Sequence, residues 1–198
     1  MTTIKRIGLL LGIWSALGLS GCGQTVRGPM DTRGIRVERE LPFAAEAVWN
    51  QIFLDYGGAA KFNPRVVSSG YLGDATTAAV GAARYMYYDA NGDQGIHERI
   101  ELLDPVAKRM RFKIFEAKDL PIDTRVSFGE SQVVALDANR SVFRLTFHYR
   151  TLPDFLGLFA NSGIRSDLEN MTVGMEHYLS TGETVTAENF PAIAAKYR

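Results

Sequence analysis

Two oppositely charged residues, Arg84 and Glu98, lie in neighbouring segments in which apolar and polar side chains alternate. If segments 82–88 and 95–103 form a hairpin centred on Asn91, Arg84 lies directly opposite Glu98. Directly opposed residues share one face of a sheet, so both side chains point the same way. The spacing therefore predicts a carboxylate and a guanidinium in contact on one face of a β-hairpin.

The face that carries this pair is otherwise apolar, because it also holds Ile96, Ile100 and Leu102. An isolated charge in an apolar interior is very costly, and a bidentate bond to Arg84 would satisfy both groups. We expect the arginine to lower the pKa of Glu98, which makes it a poor general acid. The pair is then either a structural ion pair that fixes strand register or a functional one. A functional pair would anchor a ligand's polar head group or act as a tuned acid–base pair.

Two further segments show the same alternation and add apolar side chains to this face. The outward positions of the hairpin hold Tyr85 and Tyr87 instead. We predict a ligand-binding interior whose candidate residues are Arg84, Glu98, Met86, Tyr88, Ile100, Phe112, Ile114, Phe143, Leu145 and Phe147.

The sequence contains few other groups with catalytic potential. Its histidines, His97, His148 and His177, are far apart in the chain, and no His/Cys/Asp spacing indicates a metal site. There is no Gly-x-Ser-x-Gly elbow and no glycine loop of the kind that cradles phosphates. We therefore predict no catalytic set, no metal and no cofactor, and we incline against an enzyme.

Composition indicates one globular domain with appendages. The chain has 198 residues, of which 46% are hydrophobic and 22% charged, and its formal net charge is zero. No basic block favours nucleic acid as a partner. Cys22 is the only cysteine, which excludes an internal disulfide.

The position of Cys22 gives it a role. Lys5 and Arg6 precede an uncharged run over 7–19, which is too short to span a bilayer but fits a secretory signal. The run ends in Leu19-Ser20-Gly21-Cys22, which resembles the lipobox of bacterial lipoproteins. The resemblance implies cleavage before Cys22 and acylation of that residue. The alternatives are an ordinary signal peptide with an incidental cysteine, or a buried N-terminal helix.

This interpretation sets the domain boundaries and the localisation. Residues 1–21 are the expected signal peptide, and 22–34 form the lipidated cysteine and a flexible tether rich in Gly and polar residues. The globular domain is predicted over 35–180, followed by a tail over 181–198. We expect a cell-envelope protein held to a membrane by its lipids. The outer membrane's periplasmic face is favoured in a Gram-negative organism, since Gly23 rather than Asp follows the cysteine.

The domain's pattern predicts an α+β fold. A strand over 35–41 precedes a short helix over 44–53 and, after Tyr56-Gly57-Gly58, a second short helical turn. A long C-terminal helix is predicted from a stripe formed by Ile164, Leu168, Met171, Met175 and Tyr178. Between these helices lie six further strands, predicted over 66–72, 82–88, 95–103, 109–116, 125–136 and 142–150.

This order resembles the START-like helix-grip superfamily, also called SRPBCC, and its polyketide cyclase/dehydrase-like branch. The matching pieces are Phe43-Ala44-Ala45-Glu46-Ala47-Val48-Trp49, Phe62-Asn63-Pro64, Gly81-x-x-Arg84, Gly95-x-x-Glu98-x-Ile100, and Leu103-Asp104-Pro105 with Arg109. They cover roughly residues 35–179. The resemblance implies a curved seven-stranded antiparallel sheet around the long helix, with a pocket between them. Extra length over 121–141 and the tail after Tyr178 depart from the pattern.

Three functions remain open at this point. The first is a membrane-anchored carrier or sensor of a hydrophobic small molecule, such as a lipid or a polyketide-like compound. The second is a cyclase- or dehydratase-like enzyme that uses the same pocket. The third is an envelope assembly lipoprotein that binds a protein partner through the tail, where Phe190, Ile193, Ala194 and Tyr197 suit a short amphipathic helix.

Overall fold

The computed structural model describes residues 27–28 and 31–197; Cys22 and the predicted signal segment lie outside this part of the chain. The described residues form an antiparallel sheet of eight strands in the order β1-β2-β8-β7-β6-β5-β4-β3. The strands are β1 Arg27–Gly28, β2 Thr32–Leu41, β3 Ser68–Leu72, β4 Ala83–Tyr87, β5 Gly95–Asp104, β6 Arg109–Lys118, β7 Phe128–Ala135 and β8 Ser141–Tyr149.

The helices complete an α+β helix-grip architecture. After β2 the chain forms α1, Ala45–Val48, continues as a π-helical turn over Trp49–Phe53, and then makes a 3-10 helix over Tyr56–Lys61. The long helix α2 spans Leu156–Thr181 and is followed by α3, Phe190–Ala194. The predicted fold is confirmed: strands β2–β8 are the seven predicted strands, and α2 is the predicted C-terminal helix.

The N-terminal end of the domain starts earlier than predicted. Strand β2 begins at Thr32 rather than at residue 35, and β1 pairs with it through Arg27 opposite Arg33 and Gly28 opposite Thr32. Part of the predicted tether therefore belongs to the sheet. The short β1 covers the start of what would otherwise be an unpaired edge strand.

Two irregularities in the pairing of β5 with β6 bend the sheet. They also change which residue at the end of β5 faces the core, so the prediction for Leu102 was wrong. The register shifts between His97 and Glu98, and again between Ile100 and Leu102. A bulge lets two residues of one strand oppose one of its partner and reverses the alternation beyond it. As a result Leu103, opposite the buried Met110, packs on the core, where the sequence pattern had placed Leu102.

Helix α2 lies against the hollow face of the sheet and is fastened to β2 at both ends. Near its start, Arg33 Nη1 lies 2.5 Å from Asp154 Oδ1, and towards its end Arg39 Nε donates to Glu176 Oε2 at 2.5 Å. A Cβ added to Gly174 would lie 2.1 Å from the carbonyl oxygen of Phe62. The absence of a side chain there lets α2 approach the backbone beyond the 3-10 helix, which closes one end of the space below the helix.

The C-terminal tail packs on its own domain. Val185 is fully buried and Ile193 is 3% exposed, so the tail's apolar residues are already covered. The buried His177 of α2 lies within hydrogen-bond distance of both Tyr197 and Glu183. The predicted amphipathic helix exists as α3, but its apolar side faces the domain and not an open surface.

The extra segment over 121–141 forms part of the rim below the start of α2. Here the buried carboxylate of Asp123 accepts hydrogen bonds from Arg125 Nε at 2.8 Å and from Arg150 Nη2 at 2.6 Å. These guanidinium groups hold the pKa of Asp123 well below its usual range. The bond from Arg150, which follows β8, holds this rim against the end of that strand, and the bond from Arg125 fixes the loop itself.

We predict that Asp123→Asn lowers the free energy of unfolding by about 2 kcal/mol at pH 7. The loss falls below that of a fully buried pair because Arg125 is exposed and its share is screened. A carboxyl group with a depressed folded-state pKa stabilises the fold above its unfolded pKa of about 4, and this stabilisation is lost as the pH falls further. The deficit in chemical denaturation should therefore shrink below pH 4; a deficit independent of pH would contradict the role of the charge.

Candidate functional site

A cavity of about 240 Å³ lies between the hollow face of the sheet and α2. Its walls are mostly apolar. The sheet contributes Met86, Ile96, Met110, Phe112, Phe143, Leu145 and Phe147, and the helices contribute Ile52, Phe53, Tyr56, Ala59, Phe62, Ile164, Leu168, Met171 and Met175.

The polar centre of this cavity is the predicted pair of Arg84 and Glu98. The predicted register is confirmed, with Arg84 opposite Glu98 and Met86 opposite Ile96. Arg84 donates from Nε at 2.9 Å and from Nη2 at 2.6 Å, both to Glu98 Oε2. The side chains are 13% and 3% exposed, so both charges are taken from water. The pairing differs from the expected bidentate geometry, because both bonds reach a single carboxylate oxygen.

Burial overturns the expected pKa shift of Glu98. Loss of solvent raises the pKa of this carboxyl group, and the neighbouring Arg84 only partly opposes the rise. The alternating pattern reveals the charge partner of Glu98 but not the depth at which the pair lies. Glu98 is therefore closer to its neutral form than a surface glutamate at the same pH.

A tyrosine that the sequence analysis did not select completes the polar cluster. Arg84 Nη1 donates to the backbone carbonyl of Tyr56 at 2.9 Å, and the guanidinium lies 4.1 Å from the centre of the Tyr56 ring. The Tyr56 hydroxyl is buried beside the Glu98 carboxylate, where it makes no hydrogen bond of standard geometry but is close enough to interact with it. Burial and this carboxylate raise the pKa of Tyr56, so the hydroxyl stays protonated. A buried hydroxyl with only this weak bond has capacity left for a polar atom of a ligand.

The cavity opens beside α2, where its two exposed lining residues meet. Arg65 Nε lies 3.9 Å from Asp167 Oδ2, and Arg65 also donates to Gln94 at 3.0 Å. The Arg65 guanidinium lies 5.0 Å from the centre of the Tyr88 ring, which forms the wall just inside. These contacts define a polar mouth above an apolar interior.

Most of the predicted ligand-binding residues are brought together. Eight of the ten line the cavity, and Ile100 and Ile114 do not, although both are buried. These two side chains pack in the core below the cavity wall. The prediction included them because alternation identifies the inward face of a strand but not the depth that each side chain reaches. The lining residues Tyr56, Arg65, Ser131 and Asp167 were missed, as none stands in an alternating or striped apolar pattern that would have selected it.

The other face of the hairpin holds a separate aromatic cluster. Tyr85 and Tyr87 stack with ring centres 4.7 Å apart, and His97 lies 2.7 Å from Glu116 on the same side. The predicted outward facing of Tyr85 and Tyr87 is confirmed, and none of these four residues lines the cavity. Within residues 27–28 and 31–197, no group of three or more His, Cys, Asp or Glu side chains is placed to hold a metal ion.

Comparison with solved structures identifies the fold. The chain is similar to the Zhui aromatase/cyclase from Streptomyces sp. R1128, with 16% identity over 84% of this chain and 96% of that one, and a TM-score of 0.55. It is similar to norcoclaurine synthase from Thalictrum flavum in complex with dopamine and hydroxybenzaldehyde, with 18% identity, coverage of 85% and 98%, and a TM-score of 0.54. A protein from Thermobifida fusca aligns at a TM-score of 0.61 with 19% identity over 77% and 96% of the two chains.

These similarities show that the chain has a helix-grip fold, which confirms the fold that the resemblance implied. No family model matches the sequence, and no curated protein matches it either. At identities below 20% the comparison establishes the fold alone.

The buried pair can be tested by a double-mutant cycle with Arg84→Met, Glu98→Met and the double variant. Either single change strands a charge and should cost roughly 3–5 kcal/mol, whereas the double change should cost much less than the sum. In Arg84→Met the unpaired Glu98 has a raised folded-state pKa, so this variant should be most stable at low pH and lose stability as the pH rises. Additive effects in thermal and chemical unfolding would show that the residues are not partnered.

Proposed function

We propose that this protein is a lipid-anchored envelope lipoprotein that binds a hydrophobic small molecule in its internal cavity. The observation that supports binding most directly is an apolar cavity with one buried polar cluster, formed by Arg84, Glu98 and Tyr56. Ligand sites are typically concave, mostly apolar and furnished with a few convergent polar groups. The fold's neighbours include an aromatase/cyclase and a norcoclaurine synthase in complex with dopamine and hydroxybenzaldehyde.

The cavity itself suggests the class of ligand. At about 240 Å³ the space is large enough for a small organic molecule and not only for water. Its aromatic and methionine walls favour a flat or flexible apolar body, since methionine adapts to irregular shapes. A single hydroxyl or carbonyl group on that body would pair with Tyr56 and the remaining N–H groups of Arg84.

Anchoring rests on the sequence around Cys22. In the described part of the chain, 27–28 and 31–197, no helix is long and apolar enough to cross a membrane. Acylation of Cys22 would supply attachment instead, because each buried methylene contributes about 0.8 kcal/mol and stable anchoring needs more than one chain. The lipobox-like Leu19-Ser20-Gly21-Cys22 supports this assignment.

A second candidate is an enzyme of the cyclase or dehydratase kind. The observation in its favour is that Glu98, Tyr56 and Tyr88 all face one cavity, and that burial raises the pKa of each. A buried carboxyl group with a raised pKa is a reasonable proton donor. The two functions differ in the compound that the protein retains. If the protein is an enzyme, the Glu98→Gln variant should accumulate a substrate that differs chemically from the compound held by the wild type. If it is a carrier, the variant and the wild type should hold the same molecule.

Ligand binding in this cavity predicts a strong effect of Ser131→Phe. Ser131 lines the cavity from β7 and is 4% exposed, so a phenyl ring there would occupy the binding space. We expect affinity for a lipophilic fluorescent probe to fall at least tenfold, measured by titration. The matched control is Gln132→Phe, one residue along the strand and absent from the cavity wall. Equal probe binding by both variants, with both folded, would place the probe site elsewhere.

Lipid anchoring predicts that Cys22→Ala moves the protein from the membrane fraction to the soluble or precursor pool. The physical reason is that the acyl chains, and not the domain's core, hold it to the bilayer. Fractionation with a high-salt wash measures the shift. A variant that remains in membranes after that wash would show that another part of the chain provides the anchor.

A further inference from the structure

Four large apolar side chains are exposed around the start of α2. Leu152 is 52% exposed, Phe155 58%, Leu158 59% and Phe159 77%, values far from those of the core. Phe155, Leu158 and Phe159 follow the i, i+3, i+4 spacing that puts residues on one side of a helix. Leu152 lies just before this turn. We call these four residues the apolar patch; exposed clusters of this kind mark interaction sites.

The N-terminal part of the chain reaches the domain close to this patch. Strand β1 pairs Arg27 with Arg33, and the Arg33 side chain contacts Asp154, between Leu152 and Phe155. A Cβ added to Gly157 would lie 2.6 Å from Arg33 Nη1, which shows that the Arg33 side chain reaches the first turn of α2. Arg27 lies one strand spacing, about 4.8 Å, from Arg33, and so within one arginine side chain and one strand of the patch.

Only four residues separate Cys22 from Arg27. An extended chain covers at most about 3.6 Å per residue, so Cys22 lies within roughly 18 Å of Arg27. A bilayer that holds acyl chains on Cys22 must approach the domain to within this distance. The end of the domain nearest to that bilayer is the end that carries the apolar patch.

We infer that the apolar patch inserts into the bilayer to which Cys22 is anchored, so that the domain lies on the membrane in a fixed orientation. The inference rests on the proposed lipidation of Cys22, and adds to it a docking surface and a direction. Aromatic and leucine side chains suit the boundary between head groups and acyl chains. The short tether makes this contact nearly intramolecular, which raises the local concentration of lipid at the patch.

This orientation also brings one end of the cavity close to the membrane. Ile164, which lines the cavity, is five residues beyond Phe159, or about 8 Å along the helix axis. On the opposite rim, Leu152 N–H donates to the carbonyl of Pro121, which adjoins the lining residues Leu120 and Ile122. The rim of the cavity at this end therefore lies near the bilayer, and the polar mouth at Arg65 and Asp167 opens about two helical turns farther along α2.

The test uses the full lipidated protein in phospholipid vesicles, with one engineered cysteine carrying an environment-sensitive fluorophore. Since Cys22 is the only native cysteine and would be acylated, Leu158→Cys offers a unique thiol in the patch. Val106→Cys is the matched control, because Val106 is 92% exposed and lies in the β5–β6 turn outside the patch. Vesicle flotation in the same samples reports anchoring independently.

We expect spin-labelled lipid to quench the fluorophore at position 158 several-fold more than the one at 106. Adding Phe155→Ser and Phe159→Ser should abolish this difference while flotation is unchanged. If the protein floats with the vesicles but quenching is equally weak at both positions, the docking is overturned and the anchor stands. In that case, cross-linking of two copies through position 158 would assign the patch to self-association. Protein that fails to float would remove both the anchor and the docking inferred from it.

Discussion

The burial of one charged pair under a helix is the constraint on which this structure depends. Glu98 is only 3% exposed, and its carboxylate is compensated by Arg84 from the neighbouring strand. A buried charge of this kind is tolerated only where the geometry satisfies it. Three features follow from keeping these two side chains together. They are the register of β4 and β5, the position of the Tyr56 backbone, and the polar centre of an otherwise apolar cavity.

The rest of the fold makes room for a cavity around that pair. The bulges in β5 and β6 bend the sheet, so that α2 cannot lie flat against it, and the space between them is lined by aromatic and methionine side chains. Two ion pairs fasten α2 to β2, one near each end of the helix. The same helix links the two proposed roles, since its middle lines the cavity and its first turns carry the exposed apolar patch.

The sequence predicted the fold and the central pair because both depend on short-range patterns. Alternation around Asn91 set the hairpin register, and the stripe from Ile164 to Tyr178 gave the long helix. Leu102 was assigned to the wrong face because a bulge has no local signature in an apolar run. Tyr56 was missed because its inward position comes from a 3-10 turn and from Arg84 far along the chain. The depth of each side chain below the surface was not predictable from the sequence either. Depth separates Ile100 and Ile114 from the cavity wall, and it raises the pKa of Glu98.

The central claim is that the cavity holds a hydrophobic small molecule, and native mass spectrometry of the full protein extracted from its own membranes tests it most directly. The account predicts one additional mass per protein, released on denaturation and identified as an apolar compound with a single hydroxyl or carbonyl group. A protein that carries only its anchor lipids after gentle extraction, and that stays empty when offered a range of such compounds, would contradict it.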